Sequence, residues 1–99
     1  MYHLIYEIKN KTNGKIYIGK HSTKDPKDKY MGSGTMIKKA IEEEGIDKFK
    51  KTILEFCKDE KCQSKKELEW IKRLNTTDPE IGYNLIDTDY FNSGYCKKL

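Results

Sequence analysis

Apolar and polar side chains mix with a period near two over residues 2–9, Tyr-His-Leu-Ile-Tyr-Glu-Ile-Lys, and the run reads as a β-strand. Asn10 to Gly14 is a turn, and Asn13-Gly14 is a strong short hairpin signal. Residues 15–21, Lys-Ile-Tyr-Ile-Gly-Lys-His, return as a second strand. Residues 22–34 are polar, with Pro26, Gly32 and Gly34, and read as a long loop. The period then changes. Met36, Ile37, Ala40 and Ile41 make one stripe of a helix near 35–44. Ser33 or Thr35 would cap its start, Gly45 its end, and Lys38 and Lys39 lie on its outer side. Residues 50–57 alternate again, with Thr52, Leu54 and Phe56 on one face of a third strand. A second helix runs from Ser64 to about Leu74, and residues 82–87 read as a short final strand. The order predicts an α+β domain, a small antiparallel β-sheet of about three strands flanked by helices. It fills residues 1–90, and 91–99 form a polar tail.

A hairpin loop of two or four residues puts even positions of the first arm on the same face as odd positions of the second. Tyr6 and Tyr17 then share a side with Lys15 and His21. Ile5, Ile16 and Ile18 take the other, more apolar side as the core face. By itself this pattern also fits tyrosine as an ordinary strand residue.

Composition narrows the picture. Of the 99 residues 35% are hydrophobic and 36% charged, so the core is small, while seven tyrosines argue against disorder. The net charge is +4, but residues 1–39 carry +6 and the remainder −2. A basic N-terminal half suits a polyanion. Cys57, Cys62 and Cys96 are an odd set with no secretory leader, which reads as reduced thiols in a cytoplasmic protein. No apolar run approaches a bilayer span.

Leu4-Ile5-Tyr6 on the first strand, followed by Tyr17-Ile18-Gly19 on the second, resembles the GIY-YIG nuclease signature, with Leu4 in place of the first glycine. The likeness continues through Tyr30-Met31-Gly32-Ser33-Gly34, Lys39-Ala40-Ile41, Gly45, Phe49 and Ile53-Leu54-Glu55. It ends at Glu67, Trp70-Ile71 and Gly82-Tyr83-Asn84-Leu85, and is greatest for short phage-type members related to homing endonucleases. The resemblance implies hydrolysis of a DNA phosphodiester in a bacterial or phage-infected cell. It implies one divalent ion, Mg²⁺ or Mn²⁺, and no small-molecule cofactor. Tyr6, Tyr17, Glu67 and Asn84 would be site residues, with Glu67 the metal ligand.

Each role has a competing explanation in the residues themselves. At about 100° per residue, Glu67 projects within roughly 15° of the centre of the face made by Leu68, Trp70, Ile71 and Leu74, and Glu69 lies nearly opposite as a surface charge. A carboxylate on an apolar face needs a metal or a charge to meet it. Ser64-x-x-Glu67 also has the form of a capping box. Asn84 follows Gly82 closely enough to be a turn residue. The resemblance implies a phosphate-binding helix arginine, yet Arg73 is the chain's one arginine and lies off the Glu67 face. His21 is the best substitute, as base or phosphate donor, unless it merely ends a strand. Lys15, Lys24, Lys27, Lys29, Ser33, Lys38 and Lys39 would hold double-stranded DNA by its backbone. A DNA-binding module with weak catalysis is the alternative function.

Overall fold

A computed structural model describes residues 1–85. Strand β1 spans Tyr2–Asn10, β2 Ile16–Thr23 and β3 Phe49–Cys57; helix α1 spans Thr35–Glu44 and α2 Glu60–Leu74. A 3-10 turn at Ile46–Lys48, not expected from the pattern, joins α1 to β3. The sheet is antiparallel in the order β2-β1-β3. The expected α+β architecture and element order are therefore present. Positions 86–87 of the expected final strand and the tail at 91–99 lie outside the described residues.

The hairpin closes through four residues. Asn10 N–H donates to the Lys15 carbonyl, Gly14 N–H donates to that of Asn10, and Gly14 takes φ 78°. Register pairs Tyr6 with Gly19 and Ile8 with Tyr17, so Tyr6 and Tyr17 do share a face. That face is not the less apolar one. Leu4, Tyr6, Ile8 and Tyr17 pack under Ile37 and Ala40 of α1, with Phe49 and Tyr83, in the larger core cluster. Ile5 and Ile18 pack on the other face against Ile71 of α2, with Leu54, Trp70 and Leu74. The sheet is covered on both sides, which alternation judged one face at a time does not reveal.

Three further expectations change. The register of β1 against β3 slips between Ile5 and Tyr6, pairing them with Glu55 and Ile53. This bulge breaks the alternation, so Phe56 pairs with Leu4 on the tyrosine side while Leu54 packs on the α2 side. Gly34 is the N-cap of α1, without a side-chain cap bond, and Met36 is exposed rather than part of the buried stripe. Helix α2 starts a full turn before Ser64: Asp59 caps it by accepting from Cys62 N–H at 2.8 Å. Ser64 then sits inside the helix and accepts from Lys20 Nζ at 2.7 Å, so Ser64 and Glu67 make no capping box. Gly45 ends α1 as expected, its N–H bonded to the Ile41 carbonyl.

After α2 the chain passes Asn75 in a left-handed conformation and returns along the free edge of β2. The return is a single parallel bridge of Gly82 to Ile16 rather than a strand. Ile16 N–H donates to the Ile81 carbonyl, and Tyr83 N–H donates back to Ile16. The Asn84 amide then brackets Ile18, accepting from its N–H and donating to its carbonyl, both at 2.8 Å.

Candidate active site

A cleft of about 200 Å³ opens at the β2 edge. Tyr17, Gly34 and Thr35 form one side, Glu67, Leu68 and Ile71 of α2 another, and Tyr83, Asn84 and Leu85 a third. The fold thus delivers Tyr17, Glu67 and Asn84 to one place from widely separated parts of the chain. Tyr6 does not line the cleft. It lies behind Tyr17, with ring centroids 6.2 Å apart, and is 1% exposed.

Both hydroxyls are enclosed by glycines. A methyl group on Gly19 would fall 2.3 Å from the Tyr6 hydroxyl, and one on Gly34 would fall 3.0 Å from the Tyr17 hydroxyl. Burial raises the Tyr6 hydroxyl far above the usual tyrosine range, helped by Tyr17, Tyr30 and Glu67 nearby. Tyr17 is also raised, first by burial and then by the Glu67 carboxylate, but two groups oppose the shift. The nearby Tyr6 hydroxyl and Gly34 backbone N–H favour its ionised form. Of the two, Tyr17 combines access to the cleft with donors for a phenolate.

Glu67 is half-buried on the cleft wall, and its charge reaches both tyrosines. Glu69 is less of a surface charge than helical projection suggested: it pairs loosely with Lys66 at 3.9 Å and one carboxylate oxygen is buried. Among the described residues no three His, Cys, Asp or Glu side chains converge as a metal cluster. The cleft offers one carboxylate beside a tyrosine hydroxyl, a hard-oxygen set that suits Mg²⁺ when water and phosphate fill the remaining positions. Asn84 lines the cleft and fixes its wall through two bonds to Ile18, which leave one amide N–H uncommitted to that residue. Arg73 lies over the Trp70 ring at 4.8 Å, and no arginine lines the cleft.

His21 lies farther along the tyrosine face, opposite Leu4. Its Nε2 is 2.8 Å from Asp28 Oδ2, and its ring stacks on Tyr30 at 4.0 Å. This pairing, with Thr23 also donating to Asp28, holds the Asp28 carboxyl well below the usual range. From the sequence, Lys51 and Asp28 have no role, and Tyr30 enters only as part of the family likeness. Lys51 had a signal: between Phe49 and Ile53 it occupies an inward position of β3. Its ammonium donates to the Tyr30 carbonyl at 2.7 Å and lies 5.3 Å from the Tyr6 ring centroid. Of the expected DNA contacts, Lys24, Lys27, Lys29, Ser33, Lys38 and Lys39 are exposed. Lys15 is half-buried beside Tyr83 and Asn84 in an adjoining hollow. No helix among the described residues is long and apolar enough to cross a membrane.

Comparison with known proteins gives the same picture. A family model described as the GIY-YIG catalytic domain matches residues 2–84. The segD protein of Enterobacteria phage T4 is 47% identical over 87 residues, spanning 83% of this chain and 39% of that protein. Endonuclease segA of the same phage is 43% identical over 84 residues, spanning 85% of this chain and 38% of the relative. The chain thus spans about two fifths of the length of the curated relatives it matches. Among solved structures, the catalytic domain of the homing endonuclease I-TevI superposes with a TM-score of 0.65 at 29% identity, covering 86% of this chain and 99% of that one. A mutant of the same domain, titled an intron endonuclease, gives 0.69 at 27% identity, covering 89% and 97%. With Tyr17 and the helix glutamate facing one cleft, and Tyr6 and the glycines packed behind, the chain belongs to the GIY-YIG family.

Proposed function

We propose that this domain is a divalent-metal-dependent endonuclease that hydrolyses phosphodiester bonds of double-stranded DNA. The observation carrying this reading is that Tyr17 and Glu67 line one cleft at the N-terminus of α1. The phosphate at the cut enters this cleft, where the helix N-terminus favours its negative charge. Tyr17 acts as the phenolate, favoured by the nearby Tyr6 hydroxyl and Gly34 N–H, and becomes the neutral phenol as it takes the proton of the attacking water. Water oxygen bonds to phosphorus as the bond to the leaving sugar oxygen breaks in line. Glu67 would hold Mg²⁺ or Mn²⁺, and an ion bound there supplies positive charge to the phosphate and the leaving oxygen. The exposed lysines of the 24–29 loop and of α1 hold the DNA backbone, which makes binding salt-dependent and weakly sequence-specific.

The test is incubation of supercoiled plasmid with the protein in Mg²⁺ or Mn²⁺, and with EDTA. Cleavage in metal alone is the expected result. Cleavage in EDTA would remove the metal from the reading. Two observations favour a second function, DNA binding with little turnover: Tyr6 is sealed from solvent and no arginine lines the cleft. Binding without cleavage in either metal would select it.

A further inference from the structure

The segment entering α1 has no regular secondary structure from Lys29 to Gly34, yet it forms the lid of the tyrosine pair. A methyl on Gly32 would lie 3.2 Å from the Tyr6 hydroxyl, and one on Gly34 would lie 3.0 Å from the Tyr17 hydroxyl. Tyr30 meets the Tyr6 ring edge-on at 6.0 Å. Such a segment must be fixed by side chains, since no sheet or helix ladder reaches it.

The fixing groups converge on Asp28. Its Oδ2 accepts from Thr23 Oγ1 and faces His21 Nε2, each at 2.8 Å. Its Oδ1 accepts from Tyr30 N–H at 3.1 Å and lies 3.5 Å from Lys51 Nζ. Lys51 adds its 2.7 Å bond to the Tyr30 carbonyl, so both backbone groups of Tyr30 are held. His21 completes the grip by stacking flat on the Tyr30 ring, the planes 10° apart. The contacts come from β2 and β3, the two outer strands, and meet above the middle of the sheet. Lys51 is the least expected member: its side chain is 13% exposed, and an inward lysine is stable there only because the carboxylate and carbonyl meet it.

We infer that His21, Asp28 and Lys51 form a clamp that seats residues 28–34 on Tyr6 and Tyr17, and that His21 is a positioning residue rather than a base or a phosphate donor. The catalytic consequence rests on Tyr17 as proton acceptor. The clamp itself stands on the contacts and is read without cleavage. Losing it frees Tyr30 and lets Gly32 and Gly34 move off the two tyrosine hydroxyls.

The test uses the full chain with ¹³C-labelled tyrosine, followed by NMR from about pH 7 to 12, with Tyr17→Phe to assign the signal. Asp28→Ala and Lys51→Met should shift the Tyr30 and Tyr17 signals and speed hydrogen exchange at the Gly34 amide. In cleavage they should lower kcat by about tenfold or more with KM little changed, as a misplaced catalytic group does. His21→Gln places an amide where Nε2 stands but cannot carry a proton; it should retain most of kcat. The double variant His21→Gln/Asp28→Ala should be no slower than Asp28→Ala, because the two act as one unit. Asp25→Asn, an exposed change in the same loop, is the control. The inference is overturned if Asp28→Ala and Lys51→Met leave the tyrosine signals and Gly34 exchange unchanged. It is equally overturned if His21→Gln loses as much kcat as Asp28→Ala with those signals intact. Should Asp28→Ala fail to fold by circular dichroism, Lys51→Met and His21→Gln decide by the same signals. A wild-type protein that cuts nothing refutes the nuclease reading, while the NMR result still decides the clamp.

Discussion

Gly19 ends the Tyr-Ile-Gly triplet, and the structure gives a reason for glycine that has nothing to do with backbone freedom. It pairs across the hairpin with Tyr6, whose ring lies over it. In Gly19→Ala the new methyl would stand 2.3 Å from the Tyr6 hydroxyl oxygen, 2.4 Å from the adjoining ring carbon and 2.9 Å from the Tyr17 ring, whereas ordinary contact starts at 3.4 Å. The Tyr6 ring must therefore retreat by about 1 Å, and it has nowhere to go. Tyr17, Tyr30 and Lys51 surround it, and it is 1% exposed. Overpacking of this kind costs about 2 kcal/mol. For a domain of this size that lowers Tm by about 8–16 °C. The retreat also carries the Tyr6 hydroxyl off Tyr17, and a 1 Å misplacement of this sort costs on the order of 10²-fold in rate. Calorimetry and plasmid cleavage at a temperature where the variant stays folded measure the two effects separately. Adding Tyr6→Phe deletes the most crowded atom and should return part of the lost Tm. A Gly19→Ala protein that melts and cuts like the wild type would show that the packing of Tyr6 on Gly19 is wrong.

Glu67→Gln keeps the shape of the cleft wall but removes the carboxylate, so cleavage should fall by on the order of 10³-fold while DNA binding and folding persist; Glu69→Gln should cut nearly normally, and the reverse pattern would move the metal. Neutralising the exposed pair Lys38 and Lys39 should weaken DNA affinity and reduce its salt dependence by about one unit of slope per lost phosphate contact, measured by fluorescence anisotropy across salt concentrations. The raised Tyr6 hydroxyl sets an alkaline limit: the folded protein keeps that proton after the unfolded chain has released it. Its contribution is fully present below the ordinary tyrosine value of about 10 and is lost as pH rises above it. Urea titrations should show a steepening loss of stability above that pH, and Tyr6→Phe should flatten it.

Much of this was legible beforehand because local patterns and tertiary needs agree in the hairpin, α1 and the parity that aligns Tyr6 with Tyr17. Failures came where a polar residue does a core residue's work. Gln63 is 3% exposed and donates to the Leu4 and His21 carbonyls, so the first turn of α2 is held by an amide that apolar periodicity cannot register. Tyr6 lies on the side that alternation ranks as the more polar, and only α1 makes that side a core face. The bulge at Leu54 is a decision of pairing between two strands, and one strand's alternation holds no trace of it. Glu67 was found because a charge on an apolar stripe is conspicuous. Lys51 carried the same signal on a strand. Asp28 has no periodicity around it, and only the fold brings its partners within reach.

The Asn84 clasp on Ile18 has a consequence for synthesis of the chain. Its two ends are 66 residues apart, and the wall it fixes faces Tyr17 and Glu67. The hairpin leaves the ribosome early, but the cleft has no third side until Tyr83, Asn84 and Leu85 have followed it out. At about 5–20 residues per second that interval lasts several seconds. Throughout it, the nascent chain carries its basic N-terminal residues and its tyrosines without the third wall of the cleft.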